Sequence, residues 1–310
     1  MPNGGRTGKV RAGTALLLVL LAVVVGVWWS HLRPQPTLEL LLGALPGEPA
    51  IVAYVDVPSL RRAPHLGPWI ARKLAEQDDA LPLAAGVRGL SIALGQDSVY
   101  LVGALDLTDA GAVSYLAQRK AGCSQPLDEA ACASKASAGG YLSMRLLKDN
   151  LLAIAHSPDP TAADRMSASN PDPVDEIAKA RAALDSGAVV WAGLDPQALD
   201  AVMRNPPAGW VNLSLVARAL RPADSAELLL REEGDGIRLT LQAACPDDAA
   251  ATELGAVLKA LNKMAAGLAA SAAGKDLGAW RGVVDSLDVT VEGRSVRAHW
   301  TTPARLLEQL

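Results

Sequence analysis

Phenylalanine is missing from the 310-residue chain, and seven tryptophans and four tyrosines hold the aromatic share to 4%. A surface that stacks successive bases or sugars is therefore not expected. Basic blocks are missing as well: 29 Lys and Arg stand against 33 Asp and Glu, for a net charge of -4. That balance is the reverse of what a nucleic-acid surface needs, and no nucleic-acid partner is expected. Neither a glycine-rich phosphate cradle nor a zincin helix occurs. The acidic stretch with Asp159, Asp164, Asp172, Asp175 and Glu176 lacks the ligand alternation, central glycine and terminal glutamate of an EF-hand loop. No cofactor is implied. The three cysteines are too few and too scattered for a zinc site.

What the chain does have is apolar matter. Half of its residues are apolar and 20% are charged, enough for a packed core, and the length allows two domains or one domain with accessories. The first apolar run, Ala12 to Ser30, carries no charge and holds Leu16, Leu17, Leu18, Val19, Leu20, Leu21, Val23, Val24, Val25 and Val27. These side chains contribute roughly -3 to -6 kcal/mol to bilayer insertion. As a helix the run spans roughly 28 Å, and Trp28 and Trp29 close it where an aromatic belt would lie. Its exit, Val27-Trp28-Trp29-Ser30-His31-Leu32-Arg33, is too bulky for a signal-peptide cleavage site. Arg6, Lys9 and Arg11 precede the run and Arg33 alone follows closely, which orients the N-terminus to the cytoplasm. The expectation is an uncleaved anchor in the cell membrane with the rest of the chain outside the cytoplasm.

Beyond the run, the sequence repeats. Ala50-Ile51-Val52-Ala53-Tyr54-Val55 leads into Asp56-Val57-Pro58-Ser59-Leu60, and Ala188-Val189-Val190-Trp191-Ala192-Gly193-Leu194 leads into Asp195-Pro196-Gln197-Ala198-Leu199. In both, a β-rich run ends at an Asp suited to cap a short helix. A hairpin follows in each copy, at Leu90–Leu105 and at Ala226–Ala243, then a helix headed by Asp109 or by Asp247 and Asp248, then a closing hairpin. The second of these helices shows Leu254, Val257, Leu258, Leu261, Met264 and Leu268 at helical steps. The expected fold is α+β: a single transmembrane helix, then a duplicated strand-helix-hairpin-helix-hairpin module with antiparallel sheets. The boundaries are a basic tail 1–11, the transmembrane helix 12–30, a first repeat 38–157, a linker and short helix 158–185, and a second repeat 186–310; tight packing of the two halves into one body is an equal alternative to the linker, and one sheet or two are both open.

The opening Leu45-Pro46-Gly47-Glu48-Pro49-Ala50, with Tyr54-Val55-Asp56 and Leu60, resembles a loose group of uncharacterised bacterial exported proteins. The resemblance implies an N-terminal anchor and duplicated α+β modules, and no activity.

Chemistry is hard to find. His156 and His299 each follow an Ala at the end of a closing hairpin, so matched copies could bring them to one metal; the simpler reading is two strand-end side chains. Ser91 lies in a Gly89-Leu90-Ser91-Ile92-Ala93 stretch short of a nucleophile elbow, inside a strand rather than at a turn. Asp56 and Asp195 need no role beyond capping. Cys123 and Cys132, nine positions apart, permit a disulfide loop worth roughly 2–3 kcal/mol, and Cys245 is left over as a buried thiol. No catalytic residue is assigned. The expected function is a membrane-anchored extracytoplasmic binding or scaffold protein with a protein or peptide partner. The alternative is an extracytoplasmic hydrolase whose site assembles from residues distant in sequence.

Overall fold

A computed structural model of the chain describes residues 38–47, 49–75, 87–106, 125–126, 131–136, 139–167, 174–206, 213–271, 282–304 and 306. The β-rich runs on either side of the repeat become two short strands, β1 (Ile51–Val55) and β8 (Val190–Leu194). They pair with each other, antiparallel, with Ala53 opposite Ala192 at the centre. The flanking backbone is reciprocal. Asp56 N–H donates to Val189 C=O and Asp195 N–H donates to Ala50 C=O, both at 3.0 Å.

Each central strand runs into a helix capped by its Asp. The Asp56 carboxylate accepts from Ser59 N–H at the start of α2 (Val57–Arg62), and Asp195 accepts from Gln197 and Ala198 N–H at the start of α5 (Pro196–Arg204). Proline in the first turn of both fits, since those N–H groups have no helical acceptor.

On the N-terminal side, β1 is followed in space by β2 (Val87–Leu94), β3 (Val99–Leu105), β7 (Leu151–Ser157), β6 (Tyr141–Leu146), β5 (Ala131–Lys135) and β4 (Gln125–Pro126). On the C-terminal side, β8 is followed by β9 (Ser225–Glu233), β10 (Gly236–Ala244), β12 (Ser295–Pro303) and β11 (Asp288–Glu292). All pairings are antiparallel, so the described strands make one 12-stranded sheet. Two-residue turns join β9 to β10 and β11 to β12, and each begins with a glycine at positive φ, Gly234 at 57° and Gly293 at 54°.

The sheet has two differently furnished faces. One is covered by α1 (Leu38–Gly43), α4 (Val174–Asp185) and the turn Ala162–Arg165 with Met166, packed on Tyr54, Ala93, Tyr100, Val102, Ala153, Ala155 and Trp191. Ala162, Ala163 and Met166 are buried, so this part of the connection is folded against the sheet. The other face carries α2 and α3 (Leu66–Ala75) over Val55, Val190, Leu230 and Ile237. It also carries α5, α6 (Ser214–Leu220) and α7 (Asp248–Ser271) over Leu194, Leu241, Ala243, Val296 and Ala298. Helix α7 comes very close to the last hairpin: a Cβ on Gly255 would stand 2.7 Å from Val291 Cγ2.

The two copies share one sheet, a point the sequence left open, because β1 and β8 each present an unpaired edge and satisfy it on the other. The transmembrane helix of the expected fold class is corrected. Among the described residues no helix is long and apolar enough to cross a membrane, so membrane contact through one N-terminal helix is unsupported. The long helix α7 carries Asp248, Glu253, Lys259 and Lys263 and packs on the sheet instead. Residues 12–30, where the span was expected, lie outside the described residues, as do Asp109 and the helix it was to head.

The caps generate a stability expectation. Asp56→Ala and Asp195→Ala should each lower unfolding free energy by about 1 kcal/mol in urea titrations. A double variant should lose about the sum, and no loss in either single variant would remove the capping role.

Candidate functional site

Cross-strand partners in an antiparallel sheet point to the same side. Following the register from Trp191 on β8 leads to Leu229 on β9, Thr240 on β10, His299 on β12 and Asp288 on β11. These residues share the α1 face. The cover on that face ends at Leu229, which packs against the α1–α4 core. No described helix lies over the same side of β10, β12 and β11.

The uncovered strands are polar there, in alternation with apolar residues beneath α5–α7. Arg238, Thr240 and Gln242 on β10 stand beside Thr301, His299 and Arg297 on β12, and Arg297 faces Thr290 on β11. A shallow trough of about 280 Å³ lies at the Gln242–Arg297–Thr290 end of these strands, lined by Glu227, Gln242, Thr290, Glu292, Arg297 and His299 among others.

Three contacts organise this surface. The indole of Trp191, fully buried, extends along its own strand over Gly193, where a Cβ would stand 3.0 Å from the ring. Its Nε1–H then donates to Glu227 Oε2 at 3.0 Å, joining the core to the trough wall. Thr240 Oγ1 and His299 Nδ1 lie 3.0 Å apart, with Thr240 only 4% exposed. Arg238 Nε lies 2.6 Å from Glu233 Oε2, but its N–H is not aimed at that oxygen, so the pair is a charge contact rather than a hydrogen bond. Burial, then Arg238, Arg297 and Arg231, push the His299 pKa below its ordinary 6.5, and Asp288 opposes them.

The two histidines that the matched hairpins could have joined at one metal are not brought together. His156 lies on β7 and His299 on β12, seven strand spacings or roughly 34 Å apart. They also point to opposite faces: the register places Ala153 of β7 on the α1 face, and His156 is three residues further. His156 Nε2 bonds Gly139 C=O at 2.8 Å instead. Among the described residues no three His, Cys, Asp or Glu side chains stand together as a metal site.

The remaining sequence candidates have structural partners. Ser91 Oγ is buried and donates to Leu41 C=O at 2.8 Å, holding α1 to β2. Asp159 accepts from Thr161 and Arg165, and Asp164 pairs with Arg145. Asp175 and Glu176 sit in the first turn of α4, while Asp172 lies outside the described residues. Glu232 reaches from the second half to accept from His65 and Leu66 N–H at the start of α3. Cys132 is disulfide-bonded and Cys245 is a buried free thiol; Cys123 lies outside the described residues.

A smaller pocket of about 250 Å³ gathers Asp97, His156 and Ser157. It does not make a nucleophile–base pair. Ser157 Oγ bonds Ser98 Oγ at 2.8 Å and lies on the face opposite His156, its strand neighbour.

Sequence reasoning missed the trough. Its signal was the period-two alternation of Arg238 and Thr240, and of Arg297, His299 and Thr301, with apolar residues. Which alternations meet on one face depends on register and strand order, neither of which the alternation specifies.

No protein-family model matches this chain, and no curated protein matches it. Solved structures similar to it include three crystal forms of TP0453. Form I aligns with a TM-score of 0.47 at 12% identity over 87% of this chain and 95% of that one. Form III gives 0.45 at 11% over 86% and 96%, and form IV gives 0.43 at 10% over 86% and 95%. A likeness at this level carries no argument about function.

The His299 environment sets a pH dependence. Because the folded-state pKa lies below 6.5, the unfolded chain binds more protons between the two values. Stability is therefore undiminished above 6.5 and falls as pH drops through the folded-state value. Urea unfolding at several pH values should show this loss in the wild type and a shallower one in His299→Gln. Superimposable profiles would refute the assignment.

Proposed function

We propose that the protein is a non-catalytic binding module and that its ligand surface is the α1 face of β9, β10, β12 and β11, over which no described helix lies. The observation that carries this reading is an asymmetry of cover. Helices close the opposite side of these strands, while this side holds a polar trough whose wall is fixed by the Trp191–Glu227 bond. A rigid sheet with side chains locked from below is well suited to binding.

One observation favours a hydrolase. The hydroxyl of Thr240 contacts His299, and Asp288 faces His299 across the next strand pair, so hydroxyl, imidazole and carboxylate stand in one row. Against it, the hydroxyl lies at the base of the surface, where the almost fully covered Thr240 cannot be approached by a carbonyl carbon.

We further propose that the module works outside the cytoplasm. The disulfide at Cys132 supports this, because such bonds persist in oxidising compartments.

A photocrosslinking residue at Thr290, on the uncovered face, should yield a defined adduct in intact cells, and one at Lys259 on α7 should not. Equal adducts at both positions, or hydrolysis of ester or peptide substrates that disappears in His299→Ala, would overturn the binding reading. Peptide mapping without reductant should find Cys132 joined to Cys123, with Cys245 alkylated only after unfolding. A free thiol at Cys132 would remove the support for an extracytoplasmic site.

A further inference from the structure

Arg231 and Arg238 stand directly opposite each other on β9 and β10, with Thr301 beside Arg238 on β12. Like charges in that position repel. Their Nε atoms are both buried without a hydrogen-bond acceptor. Arg238 has the charge contact with Glu233, whose side chain is half exposed, and a pair so wetted contributes little. For Arg231 no hydrogen bond or ion pair occurs among the described residues. Two opposed guanidinium groups whose buried Nε–H groups meet no acceptor are an arrangement with a cost and no structural return.

We propose that this pair holds the phosphate group of a small phosphorylated ligand that extends from the two arginines into the trough, whose lining begins one row away at His299. The proposal rests on the reading of that face as the binding surface and specifies the chemistry recognised there. Guanidinium groups present N–H forks that match phosphate oxygens, and a tetrahedral dianion placed between two of them removes their repulsion. The next row adds to it. His299, with Nδ1 3.0 Å from Thr240 Oγ1, stands in that row, and Arg297 stands one alternate position along β12.

The occupant is limited to one anionic group by the far end of the same surface. Glu227 and Glu292 line the trough, and Asp288 faces His299. Those carboxylates repel a polyanion or an anionic bilayer laid across the face, but leave room for a ligand charged at one end only. The trough volume, about 280 Å³, is also that of a small molecule.

The test is titration of full-length protein with inorganic phosphate and with phenyl phosphate at constant ionic strength, read by the arginine Nε–H signals in ¹⁵N-edited NMR. Saturable shifts are expected at Arg231 and Arg238, with chloride causing none. Arg231→Met and Arg238→Met should each weaken binding about tenfold or more, the size of a lost charge-assisted contact. Arg72→Met on α3 should leave it unchanged. Free Arg231→Met should be at least as stable as the wild type, which separates lost binding from lost folding. Absence of saturable binding, or equal binding by Arg231→Met, overturns the proposal. So does binding to phosphatidic acid vesicles without binding to either soluble phosphate, which would make the face a membrane surface. An adduct confined to Thr290 in the crosslinking experiment would then leave the binding reading standing while the phosphate assignment fell.

Discussion

The antiparallel contact between β1 and β8 is the constraint on which the rest of the structure depends. These two five-residue strands lie in the middle of the strand order, and every other described strand is placed by counting outward from them. Their pairing is closed at both ends by the reciprocal bonds from Asp56 and Asp195. The same two aspartates then turn the chain out of the sheet and cap the helices that follow. One residue type at one position thus ends a strand, satisfies a neighbour's carbonyl and starts a helix. The short contact succeeds because no step in that sequence leaves a polar group unpaired.

The seam also decides where the helices go. Strands β1 and β8 lie side by side, so the helices that Asp56 and Asp195 cap join clusters with residues from both halves. Helices α2 and α3 cover Val190, Leu230 and Ile237 from the second half, and α5 joins a cluster that includes Ala50, Ile51, Leu94 and Val99 from the first. The Glu232 carboxylate at the start of α3 ties the halves again. Neither half has a complete core without the other. This is why the repeat does not behave as two modules on a tether.

Much of the local structure was legible in the sequence. The strands around Tyr54 and Trp191, the hairpins at Gly95–Ser98 and Gly234–Asp235, the Asp caps and the early part of α7 follow from alternation, turn chemistry and helical spacing. In α7 the buried stripe takes in Leu254 and Leu258 and stops, and Met264 is 64% exposed; spacing marks a face but cannot say how far the opposing sheet extends. Ala162, Ala163 and Met166 were hidden for a related reason. A stretch rich in Pro and Asp reads as solvated, yet three small or flexible apolar residues within it are enough to fill the core beside β7. The lesser reading, His156 joined with His299, is ruled out by parity: similar neighbours in sequence suggested similar strand ends, while register turns the two side chains to opposite faces. Pairing register and strand order are properties of contacts distant in sequence, and no local pattern encodes them.

A twofold-like seam does not produce two equal surfaces. Helices α1 and α4 each precede a central strand and land on the same face, but the turn Ala162–Arg165 extends that cover only along β6 and β7. No described α-helix does the same for β10, β12 and β11, and of the residues after β12 only Ala304 and Leu306 are described, both buried. Glu227 stands at the boundary. Its carboxylate accepts the indole proton of Trp191 from the core and at the same time lines the trough. Gly193 is the reason this is possible, since any side chain there would occupy the path of the ring. Packing at the seam and the shape of the open surface are therefore set by the same three residues. A change in one cannot be made without the other.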